Sequence, residues 1–216
     1  MAKNITILGN SGFARECYLM LRALKSKGAD IQFNGFLSFE GFQADLMELS
    51  DRFLGSDDDY TYKSDEEVII AIGNPYLRYK AYHKLKALNV KLFTLIHPDV
   101  YIDTTVTLGE GNIFASGTYI SCNCSIGNAN VLNGGVHLGH DAYVGDFNFV
   151  GPGVQFNGSV RLGNCNQIGS LCVLLQNCHI GNNNIIAPLS AVYKGCKNNC
   201  YMLGNPALRV GTTRIA

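Results

Sequence analysis

Few side chains in this sequence are suited to proton transfer. Five histidines occur among 216 residues. One of them, His140, is followed directly by an acid, Asp141. Imidazole exchanges protons near neutral pH, and an adjacent carboxylate stabilises the imidazolium. Taken alone, such a pair also reads as an exposed turn histidine. His137 lies close by, so a His137–His140 metal pair is conceivable, but a zinc site of this kind needs a third ligand at a different spacing. The eight cysteines form no CxxC pair. Cys122 and Cys124 are too close for a usual zinc knuckle, and Cys196 and Cys200 lack a second pair, so packing roles in reduced form are expected.

A second kind of chemistry is anion binding. Gly9-Asn10-Ser11-Gly12 follows an apolar strand, Asn4–Leu8, and precedes a helical pattern from Phe13 to Lys25. A glycine turn between strand and helix presents free backbone N–H groups to a phosphate. Gly73-Asn74-Pro75 repeats the arrangement between a strand at Glu67–Ile72 and a helix over Tyr76–Leu88. With further strands at Ile31–Leu37 and Val90–Leu95, the alternation predicts a small parallel, Rossmann-like sheet over residues 1–96. The turn is not a full GxGxxG, and the second strand ends in Leu37-Ser38-Phe39 rather than in an acid. A single nucleoside diphosphate is therefore expected here rather than a dinucleotide.

From Ile102 the chain changes character. Every sixth residue up to Val192 is Ile, Leu, Val or Phe, sixteen positions in a row. Chance would give such a run on the order of one time in a billion. The following position is often glycine (Gly109, Gly127, Gly139, Gly145, Gly151, Gly163, Gly169, Gly181), which we expect to supply positive φ at a sharp corner. The fifth position is small, β-branched or Asn, as at Val136, Cys172 and Cys178, and should face a narrow interior. Hexads of this kind predict a triangular parallel β-helix of about five coils over residues 97–216. In that register His179 falls on a different face from His137. The unbroken period leaves chemistry to turn residues.

Composition sets limits. Acids and bases balance, with no clustered basic surface to hold nucleic acid. No apolar run is long enough to span a bilayer and no signal peptide is evident, so a cytoplasmic location without membrane contact is expected.

The two halves together resemble one group of the hexapeptide-repeat acyltransferases, the sialic-acid O-acetyltransferase and bacillosamine N-acetyltransferase group. The resemblance spans nearly the whole chain. It rests on ILGNSGFARE, IIAIGNPYLRYKAY, HLGHDAYVGDFNFVGPG and GNPALRV. It implies a left-handed β-helix, homotrimers with active sites between subunits, acetyl-CoA as co-substrate, no metal, and transfer to the amino group of a UDP- or dTDP-linked amino sugar in glycan or lipopolysaccharide biosynthesis. It makes His140 the general base and Asp141 the group that raises its basicity. A family histidine that helps hold acetyl-CoA falls here on Phe149. The matching backbone positions are Ser170 and Pro188, closed by Gly204-Asn205-Pro206. The nucleotide-sugar positions are Asn10, Ser11, Gly12, Phe13, Ser38, Phe39, Gly73 and Asn74, and His137 can line the substrate site. Where relatives carry an Asp pair this chain has Ser38-Phe39, and Phe39 could only stack on a base.

Other readings use the same residues. A sugar hydroxyl could replace the amine as acceptor. A non-catalytic β-helix with a regular binding face would show a ladder of identical outward residues, whereas Asp141, Asp146, Arg161 and Gln167 are mixed. A β-helix metal hydrase would need the third ligand noted above.

Overall fold

The computed structural model describes residues 2–41 and 45–213. The chain divides into two compact units, Met1–Pro98 and Asp99–Ala216.

The first unit is a five-stranded parallel sheet. In chain order it contains β1 (Lys3–Leu8), α1 (Gly12–Ser26), β2 (Ile31–Ser38), a 3-10 turn at Met47–Arg52, β3 (Phe53–Ser56), β4 (Glu66–Ile70), α2 (Pro75–Ala87) and β5 (Lys91–Leu92). The strand order is β3-β2-β1-β4-β5. Leu8, Leu37, Val68 and Ile70 pack beneath Ala81 and Leu85 of α2. Their alternates Ile5, Ile7, Phe36 and Ile69 are also buried, so both sheet faces are covered, as a parallel sheet requires. Helix α1 buries Ala14, Cys17, Met20 and Leu21. Two expectations change. β3 went unpredicted because it is an edge strand whose Phe53 and Leu54 are exposed, without an alternating pattern. The strand expected over Val90–Leu95 pairs in this sheet only at Lys91–Leu92.

The second unit is a parallel β-helix with three faces. Face one carries two-residue strands at 101, 119, 137, 155, 173 and 191, and face two at 107, 125, 143, 161, 179 and 195. Face three carries those at 113, 131, 149, 167 and 185, then Cys200–Gly204, which turns back as the antiparallel strand Ala207–Thr212. Strands pair 18 residues apart, as Tyr119 does with His137 and His137 with Gln155, except for the final steps on faces two and three, where His179 meets Gly195 and Ile185 meets Tyr201 at a spacing of 16. Ile120, Leu138, Val144, Val150, Phe156, Leu162, Ile168 and Leu174 are wholly buried, which is the six-residue period seen from inside.

The glycines play a different part from the one expected. The positive-φ residue of each such corner lies two positions after them and is mostly not glycine: Ala129 (φ 48°), Asp141 (60°), Phe147 (60°), Cys165 (55°) and Leu171 (59°). The glycines are needed because adjacent coils approach closely there. A Cβ at Gly127 would stand 2.8 Å from the Gly145 carbonyl oxygen, and one at Gly139 2.8 Å from that of Phe156.

A fully buried asparagine column, Asn112, Asn130, Asn148, Asn166 and Asn184, runs up the corner between faces two and three. Each Oδ1 accepts the backbone N–H one coil on, for instance Asn148 N–H to Asn130 at 2.9 Å, and Asn184 ends the series on the Cys200 N–H at 2.7 Å. These side chains replace the water that would otherwise satisfy the corner's backbone. Among the described residues no helix is long and apolar enough to cross a membrane.

Candidate active site

His140 and Asp141 occupy the corner after face one, at the apex of a turn. Asp141 is the positive-φ residue of that turn, a conformation that Asp tolerates better than most side chains. The bend folds its carboxylate back onto its neighbour, and His140 Nδ1 lies 2.7 Å from Asp141 Oδ2. A carboxylate only accepts, so Nδ1 carries the proton and Nε2 is left as the basic nitrogen. Asn123, one coil earlier, donates from Nδ2 to Asp141 Oδ1 at 3.2 Å. The bond to His140 first, and that from Asn123 second, hold the Asp141 carboxyl below the usual carboxylate range. Both side chains of the pair are about half exposed, at 54 % and 50 %. The imidazole is thus held at one nitrogen and open at the other.

His137 is half-buried on face one. Its ring lies 5.0 Å from that of Tyr119, which stacks on Tyr101 at 4.8 Å and 11°. An aromatic row therefore climbs face one towards the His140 corner, and sequence spacing by 18 is the signal that could have found it. His179 lies on face two. Among the described residues, no group of three His, Cys, Asp or Glu side chains could hold a metal ion.

The positions matched to a thioester co-substrate gather elsewhere. Phe149 is half-buried on face three. Ser170 and Pro188 stack one coil apart at the corner between faces three and one, where the Leu189 N–H donates to the Ser170 carbonyl at 2.9 Å. Beside them the Gly204 N–H donates to Ser190 Oγ at 3.1 Å, and Asn205-Pro206, joined by a cis peptide, forms the tip of the terminal hairpin. Leu171 and Leu189 project from this corner 58 % and 71 % exposed, an apolar lip. His140 stands at the opposite edge of face one. A single chain therefore does not bring the two sets together.

The first unit holds a separate cleft of about 250 Å³ at the C-terminal ends of β1 and β4, where ligands of open α/β sheets bind. Asn10, Ser11, Phe39, Gly73 and Asn74 line it, joined by Ile72 and Leu77. Gly9 (φ 145°) lies so close to Ala71 that a Cβ would stand 3.0 Å from its carbonyl carbon. Ser11 precedes α1 in extended conformation and makes no side-chain cap bond, and the positive end of the helix dipole faces this side of the sheet, which favours an anion. The other expected residues are differently placed. Gly12 and Phe13 begin α1 without lining the cleft. Ser38 is buried, its hydroxyl 3.4 Å from the Gly55 carbonyl. Phe39 is a buried member of the core that also borders the cleft. The Asn74 side chain caps α2, accepting from the Tyr76 and Leu77 N–H groups at 2.9 and 3.1 Å. Sequence reading missed Arg78. Its fully buried guanidinium donates to the Ile72 and Gly73 carbonyls at 2.6 and 2.9 Å and fixes the loop under the cleft. An arginine at helical spacing gives no hint of that burial.

Comparison with solved structures places the fold. The acetyltransferase domain of PglB from Neisseria gonorrhoeae superposes with a TM-score of 0.85 at 18% identity, covering 96% of this chain and 100% of that one. A histidine-to-asparagine variant of perosamine N-acetyltransferase from Caulobacter crescentus, in complex with CoA and GDP-perosamine, gives 0.84 at 22%, covering 96% and 97%. WeeI from Acinetobacter baumannii gives 0.82 at 24%, covering 95% and 99%. No protein-family model matches the chain, and neither does any curated protein.

Proposed function

We propose that this protein is an acetyl-CoA-dependent N-acetyltransferase acting on the amino group of a nucleotide-linked amino sugar, with UDP or dTDP as the carrier. The observation that carries the reading is the His140–Asp141 pair, 2.7 Å apart, with Nε2 open at a β-helix corner. The shared fold supports it, since a similarly built protein is seen with CoA and a nucleotide amino sugar.

In this reading the cleft of the first unit takes the nucleotide, with the diphosphate at the N-terminus of α1. The sugar amine adds to the thioester carbonyl carbon while His140 Nε2 takes its proton; the C–N bond forms as the carbonyl opens to an oxyanion, and collapse of that intermediate breaks the C–S bond. The proton then passes to the departing CoA sulfur, so no acyl-enzyme is needed. Asp141 stabilises the imidazolium during the transfer. Glycine-rich corners offer backbone N–H groups to the oxyanion. Phe149, Ser170, Pro188, Gly204, Asn205 and Pro206 hold the co-substrate, and the apolar lip of Leu171 and Leu189 suits its pantetheine arm. Those residues lie on face three and at the corner beyond face one, away from His140, so the complete site needs a second copy, and a trimer with sites between subunits meets that need.

The test is acetyl transfer to UDP-, dTDP- and GDP-linked amino sugars, followed by mass spectrometry and a hydroxylamine lability check that separates amide from ester. A stable amide product is expected. His140→Asn should lower kcat by about a hundredfold or more with KM little changed. Wild-type turnover by that variant would overturn the assignment of the base, and an ester product would overturn the amine as acceptor.

A further inference from the structure

A base on an exposed corner needs its ring held, and two neighbouring coils bear on His140. From below, Asn123 anchors Asp141 Oδ1 at 3.2 Å. Asn123 is itself fixed, because its backbone N–H donates to Thr105 Oγ1 at 2.7 Å and Thr105 Oγ1 donates to Asp103 Oδ1 at 2.6 Å. The column Asp103–Thr105–Asn123–Asp141–His140 is continuous over two coils. From above comes Gly158, 18 residues beyond His140 and buried although it sits on a corner. A Cβ there would stand 2.5 Å from His140 Nε2, 2.6 Å from Cε1 and 3.2 Å from Cδ2. The imidazole thus lies on bare backbone, filling the space a side chain would take.

Gly158 does not owe its identity to conformation. Its φ is not positive, and the positive-φ residue of that turn is Ser159. Backbone strain therefore does not demand glycine here. The atoms met by a Cβ belong to the ring of His140, which can swing away into solvent. Alanine at 158 would be accommodated by the fold at the expense of the ring's position.

We infer that Gly158 and Asn123 are positioning residues for His140, the first leaving the space the imidazole occupies and the second fixing the carboxylate that orients it. The functional part of this inference rests on the proposed general-base role. The geometric part does not.

Two variants test it. Gly158→Ala keeps the 158 N–H and should leave the melting temperature unchanged. It should lower kcat by about a hundredfold, the scale of a reacting group displaced by an ångström, with KM for both substrates within twofold. Asn123→Gly removes the amide while easing the backbone at φ 57°. There the Asp141 carboxyl, followed by carbon NMR, should titrate closer to an ordinary carboxylate, and an unchanged titration would overturn the part assigned to Asn123.

Imidazole 15N shifts supply a reading free of activity. In Gly158→Ala the His140 resonances should move while those of His137 and His179 stay. If they stay in place, the inference is wrong. If they move and wild-type protein transfers no acetyl group to any sugar, the positioning holds and the proposed reaction fails. If they move and kcat is unchanged, His140 is not the base and the residues position no reacting group.

Discussion

Replacing Asn148 by alanine strikes the buried column at its middle. The side chain donates from Nδ2 to Asn130 Oδ1 at 3.0 Å and to the Gly163 carbonyl at 2.8 Å. Its Oδ1 accepts from the Asn166 backbone N–H at 2.9 Å and from Asn166 Nδ2 at 3.0 Å. Alanine removes all four bonds and leaves the Asn166 N–H, one amide hydrogen of Asn166 and the Gly163 carbonyl without those partners. A buried polar group stranded in this way costs about 1–3 kcal/mol, so three cost about 3–6 kcal/mol after local relaxation. That is a large share of the roughly 5–15 kcal/mol by which domains are stable. Asn164 makes a matched control. It belongs to a parallel column on the same corner, and its Oδ1 accepts the Asp146 N–H at 2.8 Å, but it is exposed. Water can replace it, so Asn164→Ala should cost only about 0.5–1.5 kcal/mol. The assay is urea unfolding of both variants followed by circular dichroism, with unfolding rates at fixed temperature as a second measure. A gap between them below about 1 kcal/mol would refute the view that burial of the ladder, rather than the bonds themselves, sets its worth.

Other expectations follow from the first unit. Asp57 is buried beside Lys84 at 2.8 Å, its second oxygen without a partner among the described residues. Burial, partly offset by Lys84, raises its carboxyl above the usual value. A raised folded-state carboxyl binds its proton more tightly than the unfolded chain does. Its penalty is therefore fully present at neutral pH and relieved as pH falls through the folded value. Unfolding scans from pH 7 downward should show that relief, and Asp57→Asn should abolish it. Gly9→Ala should close the cleft against Ala71 and raise KM for the nucleotide sugar at least tenfold, with KM for acetyl-CoA unchanged; equal effects on both would show that the cleft does not bind the nucleotide.

Much of this was legible from spacing. The six-residue period from Ile102 to Val192 is a direct image of an interior one side chain wide, so it defined the β-helix, its faces and the corner on which His140 sits. The strand-turn-helix units at Gly9 and Gly73 were likewise visible, because glycine and apolar runs punctuate them. What escaped depends on coil-to-coil or sheet-edge contact. The function of the corner glycines was misread because close approach between coils and positive φ both select glycine, and sequence does not separate the two. β3 was invisible because an exposed edge has no hydrophobic rhythm. Arg78 and Asn74 act locally within residues 72–78, where Asn74 before Pro75 is itself an N-cap signal and only the burial of the guanidinium leaves no trace in the spacing, and Ser38 is withdrawn from the cleft by the burial of its own strand.

The antiparallel return strand at Ala207–Thr212 has a consequence for solubility. A stack of parallel coils is a template: its last coil offers the same open row of N–H and C=O groups that accepted each previous coil. On face three the return strand occupies that row through pairs such as Met202–Arg209 and Leu203–Leu208. It acts as a stopper against end-to-end polymerisation. A chain cut before Ala207 would expose Cys200–Gly204 as a bare edge, and such molecules should grow into filaments along the helix axis rather than merely lose activity.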